Sequence, residues 1–459
     1  MAFKDECGVF GIWPALEASR QAYLGLYALQ HRGQEAAGIC TRDGGKLHLF
    51  KGQGYVADVF GEATLDSLPG DAAIGHTRYS TTGGNVASAA HPFLVKGRFG
   101  QLALCHNGNL TNTESLRDQL IQEGQVFSSP SDSEVILALI NRAKTKDLAE
   151  AIVEALKQVE GAYSLLILSE DRLIAARDPH GFRPLALGKL NGTFVLSSET
   201  TAFDLLGADY VREVDPGELL VLGPEGARSF FPMERVRAKP CVFEHIYFAR
   251  PDSLVFSQSV LSTRRAMGRL LARRHPVEAD YVVPVPDSGV HAALGYAEGS
   301  GIPFEFGLIR NHYVGRTFIE PKQSIRSFGV KVKLNPAKEL LRGKRVVLVD
   351  DSLVRGTTSR KIAQMVRQAG ATEIHLRISS PPTTHSCFYG IDTPTRDQLI
   401  ASHKSVEEIC QFIGADSLGY LTLEDLQASM KDSDGQGFCY ACFTGQYPVT
   451  PRDGKTSCG

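Results

Sequence analysis

The run Arg345-Val346-Val347-Leu348-Val349-Asp350-Asp351-Ser352-Leu353-Val354-Arg355-Gly356-Thr357-Thr358-Ser359 constrains the fold of this chain more than any other segment. Its uninterrupted apolar start reads as a strand buried on both faces, the pattern of a parallel sheet. An acidic pair, a tight loop and a helical stretch, Lys361 to Gln368, follow, with Gly370 as the stop. Backbone N–H groups around a glycine at a helix N-terminus, with Thr and Ser hydroxyls, cradle a phosphate without formal positive charge. Two carboxylates at the strand's end suit sugar hydroxyls or a hard cation with oxygen ligands. The crevice outside the carboxyl ends of parallel strands is where open α/β sheets bind ligands. The plain alternative is a strand capped by solvated acids before an ordinary helix N-cap.

The chain has 459 residues, enough for two or three domains. Parallel βαβ rhythm begins near Tyr281; before about residue 225, short strand-like runs such as Cys7 to Ile12, Leu102 to Cys105, Tyr163 to Leu168 and Leu219 to Leu222 dominate. Ser133 to Ala143 and Leu148 to Val159 carry helical spacing, so the first half reads as sheets with covering helices. The charged, proline-bounded stretch Pro232 to Pro240 is the expected junction. Near the C-terminus, Ser405 to Glu408 has capping-box spacing and Thr422 to Met430 suits a short helix. Charged residues are 22% and the net charge is -2, with no run of one sign, so no nucleic-acid or lipid partner is expected. No run of about 18 apolar residues suggests a membrane span, and a cytoplasmic location is expected. Nine cysteines in such a chain point to packing, metal binding or catalysis rather than a disulfide framework.

A second strand-loop-helix, Tyr281 to Gly289, contains Pro286-Asp287-Ser288-Gly289. Between the two lies Arg310-Asn311-His312-Tyr313-Val314-Gly315-Arg316, continuing through Lys322, Arg326, Lys331 and Lys333, a basic loop of the length and composition of a lid. The Arg345 to Ser359 string resembles the phosphoribosyl-diphosphate (PRPP) motif of type I phosphoribosyltransferases. That resemblance implies that Asp350 and Asp351 hold ribose hydroxyls and Mg2+, with Ser288 near the metal. It also implies that Ser352 and Arg355, Gly356, Thr357, Thr358 and Ser359 hold PRPP, chiefly its 5-phosphate.

Cys7 opens a strand six residues after Met1. Loss of Met1 to Glu6 would give it a free α-amine, with an ordinary pKa of about 7.7–8.0, as a base for its own thiol. A cysteine in an apolar strand is otherwise a packing residue. Gln30-His31-Arg32-Gly33-Gln34-Glu35, His76 to Gly83, His106-Asn107-Gly108-Asn109 and Ser131-Asp132-Ser133-Glu134 follow in order. Together they resemble the class II glutamine amidotransferase domain, an N-terminal-nucleophile αββα sandwich. The resemblance implies that Arg78 clamps the glutamine carboxylate, Asp132 its ammonium, and Asn107 with the Gly108 N–H forms the oxyanion hole. Those types suit the tasks: a planar guanidinium binds a carboxylate bidentately, and two neutral donors stabilise a tetrahedral oxyanion. Arg32 reads as structural.

Both halves on one chain resemble the amidophosphoribosyltransferases, and the likeness spans nearly the full length. It implies a cleaved leader 1–6, a glutaminase domain 7–235, a phosphoribosyltransferase domain 236–404, and a short helical tail 405–459. Glutamine and PRPP would be substrates, with ammonia passed between two sites. A homotetramer inhibited by purine nucleotides (AMP, ADP or GMP) is implied. An aminosugar synthase would share the first half but not the phosphoribosyl string, whereas a non-catalytic PRPP sensor would not need Cys7, Arg78, Asn107 and Asp132.

Cys439-Tyr440-Ala441-Cys442 alone fits a redox pair, half a zinc site or accident. Some members of the family hold an iron-sulfur cluster, and Cys241, Cys387, Cys439 and Cys442 match that form in order, implying a [4Fe-4S] cluster with structural zinc as the competitor. Cys40, Cys105, Cys410 and Cys458 fit nothing specific.

Overall fold

The central strands of the first half, such as Gly8–Trp13 and Gly161–Leu168, are buried along their whole length, so apolar side chains stand on both faces and each sheet must be covered twice. The computed structural model describes residues 7–79, 87–311, 333–432, 435 and 437–451. The expected leader, Ser80 to Gly83, nearly all of the expected lid, and Cys458 lie outside them. The first strands are β1 (Gly8–Trp13), β2 (Ala36–Asp43), β3 (Lys46–Gln53), β4 (Ala72–Arg78), β5 (Phe93–Gly97) and β6 (Gly100–Leu110). Then come β7 (Gly161–Leu168), β8 (Leu173–Arg177), β9 (Ala186–Leu190), β10 (Thr193–Ser197), β11 (Asp209–Glu213), β12 (Leu219–Gly223) and β13 (Gly226–Phe230). They form two sheets, ordered β11-β9-β10-β1-β4-β2-β3 and β13-β12-β8-β7-β6-β5.

Val9, Ile74, Cys105, Leu166, Leu196 and Leu220 fill the layer between the sheets. On the outer face of the first sheet, Phe10, Ile12 and Ile39 pack under helix α1 (Ala18–Ala28). Gly25 lets that helix lie against Phe10: a Cβ there would sit 2.3 Å from the ring. Helices α2 (Asp132–Arg142) and α3 (Leu148–Leu156) cover the second sheet through Ile136, Ile140 and Ile152. The result is the αββα sandwich expected from the resemblance.

The second half is a parallel sheet. Its elements are α4 (Val260–Arg274), β14 (Tyr281–Pro284), α5 (Val290–Ser300), β15 (Arg345–Asp350), α6 (Thr357–Gln368) and β16 (Glu373–Ile378). After these come α7 (Val406–Ile413), β17 (Ser417–Tyr420) and α8 (Leu423–Ser429). The strands lie in the order β14-β15-β16-β17, all parallel. Val347 and Val349 pack with Met267, Leu271 and Tyr296 of α4 and α5, while Val346 and Leu348 pack with Ile362 and Val366 of α6. The tail read as helical does cap α7 with the Ser405/Glu408 box, but it also adds β17 to the sheet edge. Ser417-Leu418-Gly419-Tyr420 is too short and too weak in β-formers to announce itself; pairing with β16 makes it a strand. No helix among the described residues is long and apolar enough to cross a membrane.

Candidate active site

Antiparallel pairing of β1 with β4 sets Gly8 opposite Thr77, so Cys7 and Arg78 meet at adjoining strand ends. Cys7 is partly exposed; its Sγ lies 3.5 Å from the Tyr79 carbonyl, and its own carbonyl accepts from Arg32 Nε at 3.0 Å. Cys40 is instead buried, with its thiol pushed up to about 12 by desolvation, the state of an inert packing thiol. The two sheets are tied at this corner by His76 on β4, whose Nε2 lies 2.9 Å from the His106 carbonyl on β6. Asn107 and Gly108 follow immediately on β6. The Asn107 Nδ2 is buried with no hydrogen-bond partner among the described residues. Gly108 has φ +146°, and a Cβ there would lie 2.1 Å from the Ala162 carbonyl, so only glycine fits.

Asp132 opens α2, which Ser131 caps. Burial works against its charge, but His106 (Nδ1 3.4 Å from Oδ1), the Leu110 N–H (3.1 Å) and the Ser133 hydroxyl (3.3 Å) hold its carboxyl below the usual range. His91 stacks on His76 with ring centroids 4.4 Å apart, and its Nε2 lies 2.8 Å from Ser133 Oγ. Burial pushes His76 down to about 3. His91 and His106 as supports of the pocket were not foreseen, although His106 stands inside a quoted run. A thiol, a free amide donor, a guanidinium and an ionised carboxylate at one corner can bind an α-amino acid by its head and attack its side-chain amide.

At the carboxyl ends of β14 and β15 lies a cavity of about 490 Å³. Asp350, Asp351, Ser352, Arg355, Gly356, Thr358 and Ser359 stand on its wall with Ser288, as the sequence predicts. Thr357 does not; it is exposed at the start of α6. Gly356, at φ +71°, turns the chain into the helix. Gly289 lets the facing loop approach β15, since its Cβ would lie 2.3 Å from the Val349 carbonyl. Burial, then the neighbouring Asp351 charge, drive the Asp350 carboxyl well above its ordinary value. An acid pair of this kind is completed by cations and hydroxyls; Mg2+, which keeps waters and substrate oxygens in its shell, fits the Asp350, Asp351 and Ser288 oxygens.

The near wall comes from elsewhere. A π-helical turn, Glu244–Phe248, brings Tyr247 and Phe248; Arg250 and Arg264 join them, and His31 reaches in from the first domain. Behind that wall, the wholly buried Arg32 donates to Glu199 (2.6 Å) and to both oxygens of Glu244 (2.9 and 2.8 Å). Arg183 approaches Glu244 at 3.5 Å and donates from Nε to the Tyr389 carbonyl at 2.7 Å. Two guanidiniums against two carboxylates balance the buried charge. Arg32 therefore does hold structure, as expected, but it holds Cys7 and the domain junction together.

Cys241, Cys387, Cys439 and Cys442 border one small cavity of about 20 Å³ with Phe182, Tyr389 and Tyr447. Cys241 and Cys439 pair as a short parallel bridge, and the Cys439 N–H donates to the Pro240 carbonyl at 2.8 Å. No three His, Cys, Asp or Glu groups among the described residues are arranged around a single-ion centre. Four soft thiol donors on one cavity are the ligand type of an iron-sulfur cluster or of a structural zinc ion.

Fold and sites together define a glutamine amidotransferase joined to a phosphoribosyltransferase. Residues 76–205 match the glutamine amidotransferase domain and residues 261–379 the phosphoribosyl transferase domain. The chain is 53% identical over 458 residues to amidophosphoribosyltransferase 1, chloroplastic, of Arabidopsis thaliana, covering 99% of this chain and 81% of that one. It is 50% identical to the amidophosphoribosyltransferase of Bacillus subtilis, covering 97% of this chain and 94% of that one. The solved structure of the B. subtilis glutamine PRPP amidotransferase, complexed with ADP and GMP, superposes with TM-score 0.93 at 49% identity, over 98% of this chain and 99% of that one. The chain belongs to the amidophosphoribosyltransferase family, enzymes of the first step of purine biosynthesis.

Proposed function

We propose that Cys7, freed at its α-amine by loss of Met1 to Glu6, is the glutaminase nucleophile. Arg78 takes the glutamine α-carboxylate and Asp132 the α-ammonium, which puts the side-chain amide before the thiol. As the thiolate attacks, the oxyanion receives hydrogen bonds from Asn107 Nδ2 and the Gly108 N–H; ammonia leaves, and water then releases glutamate. The observation that carries this reading is the buried Asn107 amide, without a hydrogen-bond partner among the described residues, near the corner shared by Cys7 and Arg78.

In the second site PRPP lies with its 5-phosphate on Arg355, Gly356, Thr358 and Ser359 and its ribose hydroxyls on Asp350 and Asp351. Mg2+ held by these carboxylates and Ser288 would neutralise the pyrophosphate. Ammonia attacks C1 and gives 5-phosphoribosylamine and pyrophosphate. In bulk water at neutral pH ammonia is mostly ammonium, so transfer should run inside the junction where Asn109 Nδ2 donates to the Phe388 carbonyl at 2.9 Å. The domains divide as 7–235, 236–404 and 405–459, with the basic loop of residues 311–334 as lid. A [4Fe-4S] cluster on Cys241, Cys387, Cys439 and Cys442 plays a structural part, consistent with a reducing, cytoplasmic compartment. The chain works as a homotetramer under feedback by purine nucleotides, and the ADP and GMP in the B. subtilis structure support the nucleotide part of this reading.

Two variants test the division of labour. Cys7→Ala should abolish glutamine-dependent synthesis yet leave ammonia-dependent synthesis at high pH, and Asp350→Ala should remove transfer from either nitrogen source while glutaminase activity persists. Loss of both activities in a folded Cys7→Ala protein would overturn the two-site reading. Mass spectrometry of active enzyme should find Cys7 at the N-terminus.

A further inference from the structure

The turn after α1 carries His31 and Arg32, neighbours that serve different sites. Arg32 Nε holds the Cys7 carbonyl at 3.0 Å, while His31 stands on the wall of the cavity that contains Asp350 and Asp351. The His31 side chain is 26% exposed, and Glu199 behind it is wholly buried. Its Nε2 lies 2.7 Å from Glu199 Oε1. Glu199 is itself fixed by Arg32 (2.6 Å), the Ser253 hydroxyl (2.6 Å) and the Arg250 N–H (2.9 Å). A carboxylate pinned in this way accepts the Nε2 proton and so fixes the tautomer, leaving the Nδ1 lone pair. Among the described residues Nδ1 has no hydrogen-bond partner.

The transferase reaction needs a proton acceptor. As the ammonia nitrogen bonds to C1, the C1–O bond breaks and its electron pair leaves with pyrophosphate. The nitrogen then carries three hydrogens and a positive charge, and one proton must go before the neutral amine exists. Arg250, Arg264 and Arg310 on the same wall are donors only, and the Asp287 carboxylate there is paired with Arg310. Asp350 and Asp351 are committed to ribose and metal. We propose that His31 is the base of the transferase site, its Nδ1 taking that proton while Glu199 stabilises the imidazolium that results. This is the dyad logic of a carboxylate orienting an imidazole, here supplied by the glutaminase domain to the other domain's reaction. The proposal rests on reading the cavity as the PRPP site.

The test uses the full-length enzyme with ammonia as nitrogen source, so that the glutaminase chemistry is not needed. His31→Gln keeps a donor toward Glu199 but has no base; His31→Ala leaves room for added imidazole. Pyrophosphate release should fall about 10²-fold in kcat in both, with KM for PRPP changed less than about threefold, and imidazole should restore part of the rate in His31→Ala. A wild-type rate in His31→Gln, or a loss in His31→Ala that imidazole does not relieve, would assign His31 to packing at the junction and overturn the proposal. Equilibrium dialysis with labelled PRPP and Mg2+ separates the two levels. PRPP binding that is retained in His31→Gln while turnover is lost supports the base. Binding indifferent to Asp351→Asn would remove the reading of the cavity, and the proposal with it.

Discussion

A buried amide donor without a partner costs about 1–3 kcal/mol, and among the described residues Asn107 Nδ2 has none. Stability is thus given up where an oxyanion would later be met. Asn107→Ala should lower glutamine-dependent kcat by about 10²–10³ without lowering the ammonia-dependent rate, and should not lower the unfolding midpoint. Steady-state rates with both nitrogen sources and a thermal melt check it; equal losses with both would place Asn107 outside the glutaminase site. A second residue-scale effect concerns pH. Burial, with the Arg264 charge, pushes His245 down to about 4 while its Nε2 sits 3.1 Å from the Val255 carbonyl. Below the ordinary histidine value of about 6.5 the unfolded chain takes a proton that the native state refuses. This stability is therefore complete above about pH 6.5 and lost as pH falls toward 4, at up to about 1.4 kcal/mol per pH unit. His245→Gln should flatten the stability curve by that slope between pH 6.5 and 4; parallel curves would count against a neutral buried imidazole. The meeting of Cys7 with Arg78 and the place of Asp350 on the cavity wall were legible because each residue stands in a short run of chemically related neighbours. Glu199 and Glu244 were not, because they meet Arg32 from 167 and 212 residues away and look like any solvated acids.

At the scale of elements, the βαβ rhythm exposed the second domain, since apolar strand, acid pair and glycine turn all act within one local stretch. What escaped was structure made by partners: β17 exists through pairing with β16, and the π turn at Glu244–Phe248 through its place between the domains. The loop Asp287 to Gly289 is the element whose position most depends on one residue. A Cβ at Gly289 would meet the Val349 carbonyl at 2.3 Å and the Val285 carbonyl at 2.9 Å, both backbone, so the loop would have to move away from β15. Gly289→Ala should destabilise by about 1–3 kcal/mol and raise KM for PRPP, with glutaminase activity unchanged. An unchanged KM for PRPP in a folded variant would detach this loop from the ligand.

For the molecule as a whole, the Arg32–Glu199–Glu244–Arg183 network and the cavity of four thiols are among the features that hold the junction. The second joins three distant parts of the chain: Cys241 at the junction, Cys387 beyond β16, and the tail through Cys439 and Cys442. Its donor residues were legible in the sequence only through resemblance, because no spacing rule links a lone CxxC to cysteines 52 or more residues away. Desolvation pushes the Cys439 thiol up to about 12 and the Cys442 thiol well above its ordinary value. Four thiolates can be buried there only when a metal centre takes their charge, and binding at neutral pH must release protons and add to folding free energy. Anaerobically purified protein should be brown, with iron and inorganic sulfide in equal amounts, and Cys442→Ser should yield unstable protein. Oxygen exposure should bleach it and make the chain after Asp432 newly sensitive to protease as the tail loses its anchor. Colourless protein of full activity with one zinc per chain would mean that the four thiols hold a different centre.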